Sequence, residues 1–124
     1  MQRKVEKMSN STKIITNVFA SDLEVPIPRT RVRFFCYAEP IDKWCQFAID
    51  STDETGRSWK HPAQVDAGRY RIRFDLPEYF QLQINNVKVD QILTEFIVET
   101  ESHPLIVNLH TFDHGYKIWH SNKL

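Results

Sequence analysis

The sequence predicts an all-β sandwich, and three observations lead there. Residues 68–74 alternate without a break, with Arg69, Arg71 and Arg73 on one side and Tyr70, Ile72 and Phe74 on the other. A period of two belongs to a strand with one buried face. About eight short segments of strand character follow one another, divided by frequent turn signals. One brief helix interrupts them, which is the pattern of a sandwich and not of βαβ units.

Taken in order, the first strand is expected over residues 14–20, where Ile14, Ile15, Thr16, Val18 and Phe19 are β-branched or aromatic. Ser21-Asp22 ends it. Pro26 and Pro28 forbid regular pairing, which makes residues 23–30 a loop. A second strand covers residues 31–38, with Val32, Phe34 and Cys36 on one face. Residues 40–43 turn the chain into a third strand over 44–49. The polar turn Thr52-Asp53-Glu54-Thr55-Gly56-Arg57 follows, with Gly56 free to take positive φ. A short fourth strand is expected around Trp59, ending before Pro62.

Asp66-Ala67-Gly68 is a tight-turn entry to the alternating strand. Asp75 with Glu78 three residues on reads as a helix cap, and Pro77 suits the first turn of a short helix. Asn85-Asn86 marks another turn. Residues 88–98 alternate again, with Ile92, Thr94, Phe96 and Val98 against Leu93, Glu95 and Ile97. Residues 99–104 form a polar loop. Residues 105–111 place Leu105, Val107 and Leu109 inward and Ile106, Asn108 and His110 outward. Asp113-His114-Gly115 turns the chain into a last strand over residues 116–120. Eight strands in a sandwich leave open edges, which a closed oligomer covers.

Composition narrows the function classes. The 124 residues suit one domain with a real core. Residues 1–11 read as a disordered, charged arm, and residues 12–124 as the sandwich domain. Sixteen basic residues balance sixteen acidic ones, so no net field draws the chain to nucleic acid or anionic lipid. No apolar run approaches membrane-spanning length, and the N-terminal arm has no apolar h-region of a secretory signal. The expected location is therefore the cytoplasm. The final Asn122-Lys123-Leu124 resembles the S-K-L peroxisomal address, with asparagine in its first place, and makes peroxisomes the alternative. Cys36 and Cys45 are expected as reduced thiols that can face each other across a hairpin. The histidines His103, His110 and His120 do not follow a recognised zinc spacing, so no metal is expected.

The order of motifs resembles the transthyretin-like family, and within it the 5-hydroxyisourate hydrolases. The resemblance covers roughly residues 13–122 and rests on several stretches. Ile14-Ile15-Thr16-Asn17-Val18-Phe19 is similar to the family's opening strand, and Pro28-Arg29-Thr30-Arg31-Val32 to its second-strand entry. Thr52-Asp53-Glu54-Thr55-Gly56-Arg57 resembles the T-x-x-D-G-R turn. The match is best at Gly68-Arg69-Tyr70-Arg71-Ile72-Arg73-Phe74-Asp75 with Tyr79-Phe80. Val89-Asp90-Gln91-Ile92 with Phe96-Ile97-Val98, then Glu101-Ser102-His103 and Gly115-Tyr116, complete the series.

The resemblance implies a transthyretin-like sandwich of two four-stranded sheets with one short helix. It implies a homotetramer, a dimer of dimers built edge to edge around a channel that holds the active sites. The implied reaction is hydrolytic opening of the 5-hydroxyisourate ring, in urate breakdown, with no cofactor. Such chemistry needs a base for water, usually histidine, and a cation for the oxyanion. Arg57 matches the family's arginine. The family's first-strand histidine falls on Asn17, which can hold substrate or water but takes no proton at neutral pH. His103 matches the first member of an H-x-H pair, and the second falls on Leu105 or Ile106. The Y-R-G-S ending is replaced by Trp119-His120-Ser121-Asn122, of which Trp119, His120 and Ser121 are expected to bind substrate. His110 and His120 are the histidines placed to compensate. The alternative reading is a catalytically degenerate relative that binds a small planar ligand or acts as a scaffold. A secreted hormone carrier is disfavoured by the missing secretory signal.

Overall fold

Two sheets face each other across an apolar core. The computed structural model describes residues 12–99 and 104–121, with only the backbone of residues 59–64. The strands are β1 (Thr12–Ala20), β2 (Val25–Pro26), β3 (Arg31–Ala38), β4 (Lys43–Ser51), β5 (Arg57–Val65), β6 (Gly68–Asp75), β7 (Leu82–Ile84), β8 (Val87–Val89), β9 (Gln91–Val98), β10 (Leu105–Phe112) and β11 (Gly115–Ser121). One sheet runs β11-β10-β1-β2, with β5 also paired to β1, and the other runs β4-β3-β6-β9. The expected pair of four-stranded sheets is thus present, one of them extended by the two-residue β2. β7 and β8 form a separate small hairpin. Its turn is Asn85-Asn86, both at positive φ, as an asparagine pair in a tight hairpin tolerates.

The alternation of β6 holds. Tyr70, Ile72 and Phe74 are buried, and Arg69, Arg71 and Arg73 face outward. Phe74 meets no water at all, and with Val18, Ile27, Val32, Ile72, Ile92, Val107 and Leu109 it forms the middle of the core. Each such side chain contributes about 1.5–3 kcal/mol by leaving water.

Four local expectations need correction. Asp75 does not cap a helix: Glu78–Phe80 is a single 3-10 turn that begins after Pro77 with no side-chain cap. Asp75 stays in β6 and accepts hydrogen bonds from Arg33 and Arg73, two cations that outcompete a neutral backbone donor. The segment expected over 88–98 is broken at Asp90, whose carbonyl accepts from the Leu76 amide at 2.8 Å. The fourth strand does not stop before Pro62 but runs from Arg57 to Val65. Its pairing with β1 shifts between Ile14 and Thr16, so Pro62 sits in the irregularity, where no ladder hydrogen bond is owed.

The fourth correction concerns residues 23–30: Val25–Pro26 pairs antiparallel with Ala20 and Phe19 of β1, because a proline is tolerated on a short edge strand. β10 keeps its expected facing. Val107 and Leu109 point into the core, yet Ile106 and Asn108 on the outer face are buried as well. β10 is an interior strand, parallel to β1 and antiparallel to β11, so neighbours cover its outer side chains from both sides. The expected N-terminal arm, His103 and the tail Asn122-Lys123-Leu124 lie outside the described residues.

Candidate functional site

The site is a set of rows across the outer face of the β5-β1-β10-β11 sheet. Because Ile14, Val18 and Ala20 of β1 enter the core, Ile15, Asn17 and Phe19 face the other way. Strand register then fixes their neighbours. Arg57, Asn17, Asn108 and Trp119 form one row. Phe19, His110 and Lys117 form the next, and Ile15, Ile106 and Ser121 the row on the other side.

Side-chain hydrogen bonds run along the polar row in one direction. Arg57 Nε donates to Asn17 Oδ1 at 3.0 Å. Asn17 Nδ2 donates to Asn108 Oδ1 at 3.2 Å. Asn108 Nδ2 reaches Ser121 Oγ at 3.4 Å and the Trp119 carbonyl at 3.5 Å. Each amide oxygen is thereby used, and the guanidinium is oriented by a neutral partner. Its charge keeps no compensating carboxylate in that contact.

The turn before Arg57 explains how the guanidinium is held. Asp53 Oδ1 accepts from the Thr55 amide at 2.8 Å, the Thr55 hydroxyl at 2.6 Å and the Arg57 amide at 3.2 Å. Aspartate pulling the following amides inward closes a turn of this kind. Gly56 lies at φ +80°, and a Cβ there would stand 2.4 Å from the Val18 carbonyl oxygen. The Val18 amide donates to Gly56 O at 2.8 Å, which clamps the turn onto β1. Thr52 is buried beneath and donates to Ile27 O at 2.7 Å.

A groove of about 580 Å³ opens over these rows, lined by Asn17, Val18, Phe19, Thr55, Arg57 and His110. His110 Nδ1 lies 3.1 Å from the Ser21 hydroxyl. The imidazole ring packs between Phe19 at 5.2 Å and Trp119 at 4.5 Å between ring centroids. Burial holds the His110 pKa below its ordinary 6.5, and the positive charge of Lys117 lowers it further. The ring is therefore neutral at pH 7. Lys117 also sits 5.3 Å from the Trp119 ring.

The structure brings Arg57, Asn17, Trp119 and Ser121 onto this one face. His120 is placed on the opposite side of β11, where its ring packs 5.3 Å from Phe96 of the other sheet. Burial there lowers its pKa as well. Neither Leu105 nor Ile106 stands opposite Asn17: the parallel register gives that place to Asn108. Asn108 was legible only as an outward residue. The available signal was one amide inside the apolar run Leu105-Ile106-Val107-Asn108-Leu109. Among the described residues no cluster of three or more His, Cys, Asp or Glu could hold a metal ion.

These features define the class: an all-β sandwich whose polar residues lie on one outer sheet face. Among solved structures, (S)-allantoin synthase matches with a TM-score of 0.77 at 16% identity, over 97% of this chain and 48% of that one. This chain thus spans about half the length of that protein. Sea bream transthyretin in complex with thyroxine matches with a TM-score of 0.75 at 16% identity, over 89% of this chain and 95% of that one. The 5-hydroxyisourate hydrolase of Klebsiella pneumoniae matches with a TM-score of 0.68 at 13% identity, over 89% and 99%. The fold of this chain is transthyretin-like. No protein-family model matches the sequence, and no curated protein matches it.

Proposed function

We propose that this chain is a hydrolase of the 5-hydroxyisourate type, opening a cyclic amide in the groove at Arg57. The observation that carries the reading is the shared lining: a guanidinium, an amide and a neutral imidazole border one opening. The similarity in fold to the Klebsiella hydrolase supports it. His110 takes the role of base. With the Nδ1 proton donated to the Ser21 hydroxyl, Nε2 is the nitrogen that takes a proton from water. The oxygen attacks the ring carbonyl, and the carbonyl electron pair moves onto its oxygen, where the Arg57 guanidinium stabilises it. Collapse reforms the carbonyl and breaks the C–N bond, and His110 returns its proton to the departing nitrogen. Asn17 and Ser121 orient the substrate's polar edges, and Trp119 covers its plane.

A homotetramer, dimer of dimers, belongs to this proposal, with the groove closed by a second subunit. In its support, β9 and β11 are sheet edges on one side of the sandwich, joined by the Phe96–His120 contact. Light scattering giving a monomer removes the channel. The cytoplasmic placement is tested by fusing the tail to a fluorescent reporter.

The main test offers purified protein freshly generated 5-hydroxyisourate and follows the absorbance decay. The rate exceeds that of buffer and falls in Arg57→Ala; an unchanged rate in that variant displaces the site. A specific observation favours a second reading. Asn17 and Asn108, which fill the middle of the polar row, do not titrate. A face of this kind binds a planar ligand without turning it over. Decay equal to buffer, together with a raised melting temperature in thyroxine, selects that reading.

A further inference from the structure

We propose that Arg69 anchors a second binding site, for a monocarboxylate with an aromatic or aliphatic body, on the outer face of the β4-β3-β6-β9 sheet. Of the other inner-strand arginines of this face, Arg71 meets Glu95, Arg33 and Arg73 share one carboxylate, and Arg31 stands exposed at the start of β3. Arg71 grips Glu95 with Nε at 3.1 Å and Nη2 at 2.6 Å. Arg33 and Arg73 share Asp75 at 3.2 and 3.0 Å. Arg69 has no carboxylate partner among the described residues. Its guanidinium lies instead 4.6 Å from the Tyr37 ring and 5.5 Å from the Trp44 ring. Stacking on aromatic rings fixes the plane of the guanidinium and leaves its edge donors directed outward. That is the geometry a carboxylate accepts in two parallel hydrogen bonds.

The surroundings select the rest of the ligand. Trp44, Arg69, Tyr70, Glu95, Phe96 and Ile97 line a recess of about 360 Å³. Ile97 stands directly across from Arg69 in the ladder, so an apolar surface adjoins the cation. Glu95 in the wall disfavours a dianion, and its pairing with Arg71 leaves a monoanion tolerable. A phosphate ester therefore fits less well than a carboxylate. A ring or short alkyl chain covers Ile97 and the edge of Trp44.

The test is fluorine NMR of 4-fluorophenylacetate titrated into the full chain. Binding broadens or shifts the resonance in the wild type and in Arg57→Gln. In Arg69→Gln the dissociation constant rises roughly tenfold, the scale of a lost charge-assisted pair. If Arg69→Gln lowers the melting temperature, Ile97→Glu on the exposed rim carries the same test, with the same loss expected. 4-Fluorobenzyl alcohol, which has the body without the charge, gives no effect at equal concentration. Equal affinity in Arg69→Gln, loss in Arg57→Gln instead, or no broadening at 10-fold excess over protein and beyond overturns the proposal.

Discussion

Arginines stand on both outer faces of this sandwich, and their partners differ. On the β4-β3-β6-β9 face, Arg33, Arg71 and Arg73 meet the carboxylates of Asp75 and Glu95. On the other face, Arg57 meets the neutral amide of Asn17. A carboxylate cancels the charge it orients. An amide orients the charge and leaves it available to an anion that forms later. The first arrangement is a set of ion pairs, two across strands and one within β6, worth about 0.2–1 kcal/mol per exposed pair. The second is a poised cation. Residue type alone does not separate the two; the partner does.

The largest expected effect breaks the second arrangement. Arg57→Ala lowers kcat for 5-hydroxyisourate by about 10²–10³, the usual loss for one oxyanion donor, while the denaturant midpoint stays near that of the wild type. Next comes Gly56→Ala. The added Cβ meets the Val18 carbonyl and the position keeps φ +80°, so stability falls by about 2–3 kcal/mol, read as a lower urea midpoint. Asn17→Asp converts the poised cation into a compensated one. It lowers kcat by about tenfold, the loss of roughly 1.4 kcal/mol of transition-state stabilisation, with KM for a neutral substrate little changed. Arg71→Ala costs less than about 1 kcal/mol of stability and leaves the hydrolysis rate alone. A rate loss in Arg71→Ala equal to that in Arg57→Ala would erase the distinction between the faces.

The smallest effect is in pH. Burial, then Lys117, holds the His110 pKa below 6.5. A base must be neutral, so kcat/KM holds as pH falls to 6.5 and declines only through the lower value. Lys117→Gln removes one of the two causes and moves that decline upward in pH. Linkage runs the same way for stability. His110 and His120 both have folded values below their unfolded ones, so the unfolded chain binds more protons under pH 6.5. Their contribution is full above pH 6.5 and is lost as pH falls through the folded values. A urea midpoint that rises on acidification below pH 6.5 contradicts this.

Much of the site was legible because turn chemistry is local. Thr52-Asp53-Glu54-Thr55-Gly56-Arg57 carries its own instructions: an aspartate to gather amides, a glycine for positive φ, and an arginine just beyond. The one-sided burial of β6 was legible for the same reason, since period two is written in consecutive residues. Asn108 was not legible as a site residue. It faces Asn17 only because β1 and β10 pair in parallel, 91 positions apart in sequence, and no local pattern specifies that register. The family resemblance places His120 with Trp119 and Ser121, yet neighbours in a strand point to opposite faces, and His120 packs on Phe96.

By itself, then, the sequence determined most of the long strands, the buried face of β6 and the turn that presents Arg57, because alternation and turn propensity act within a few residues. The tertiary structure decided which side chains share a row, which arginine meets an amide and which a carboxylate, and that Asp75 serves cations and not a helix. Those outcomes depend on the register between distant strands, which is set by how two whole sheets bury their apolar faces against each other.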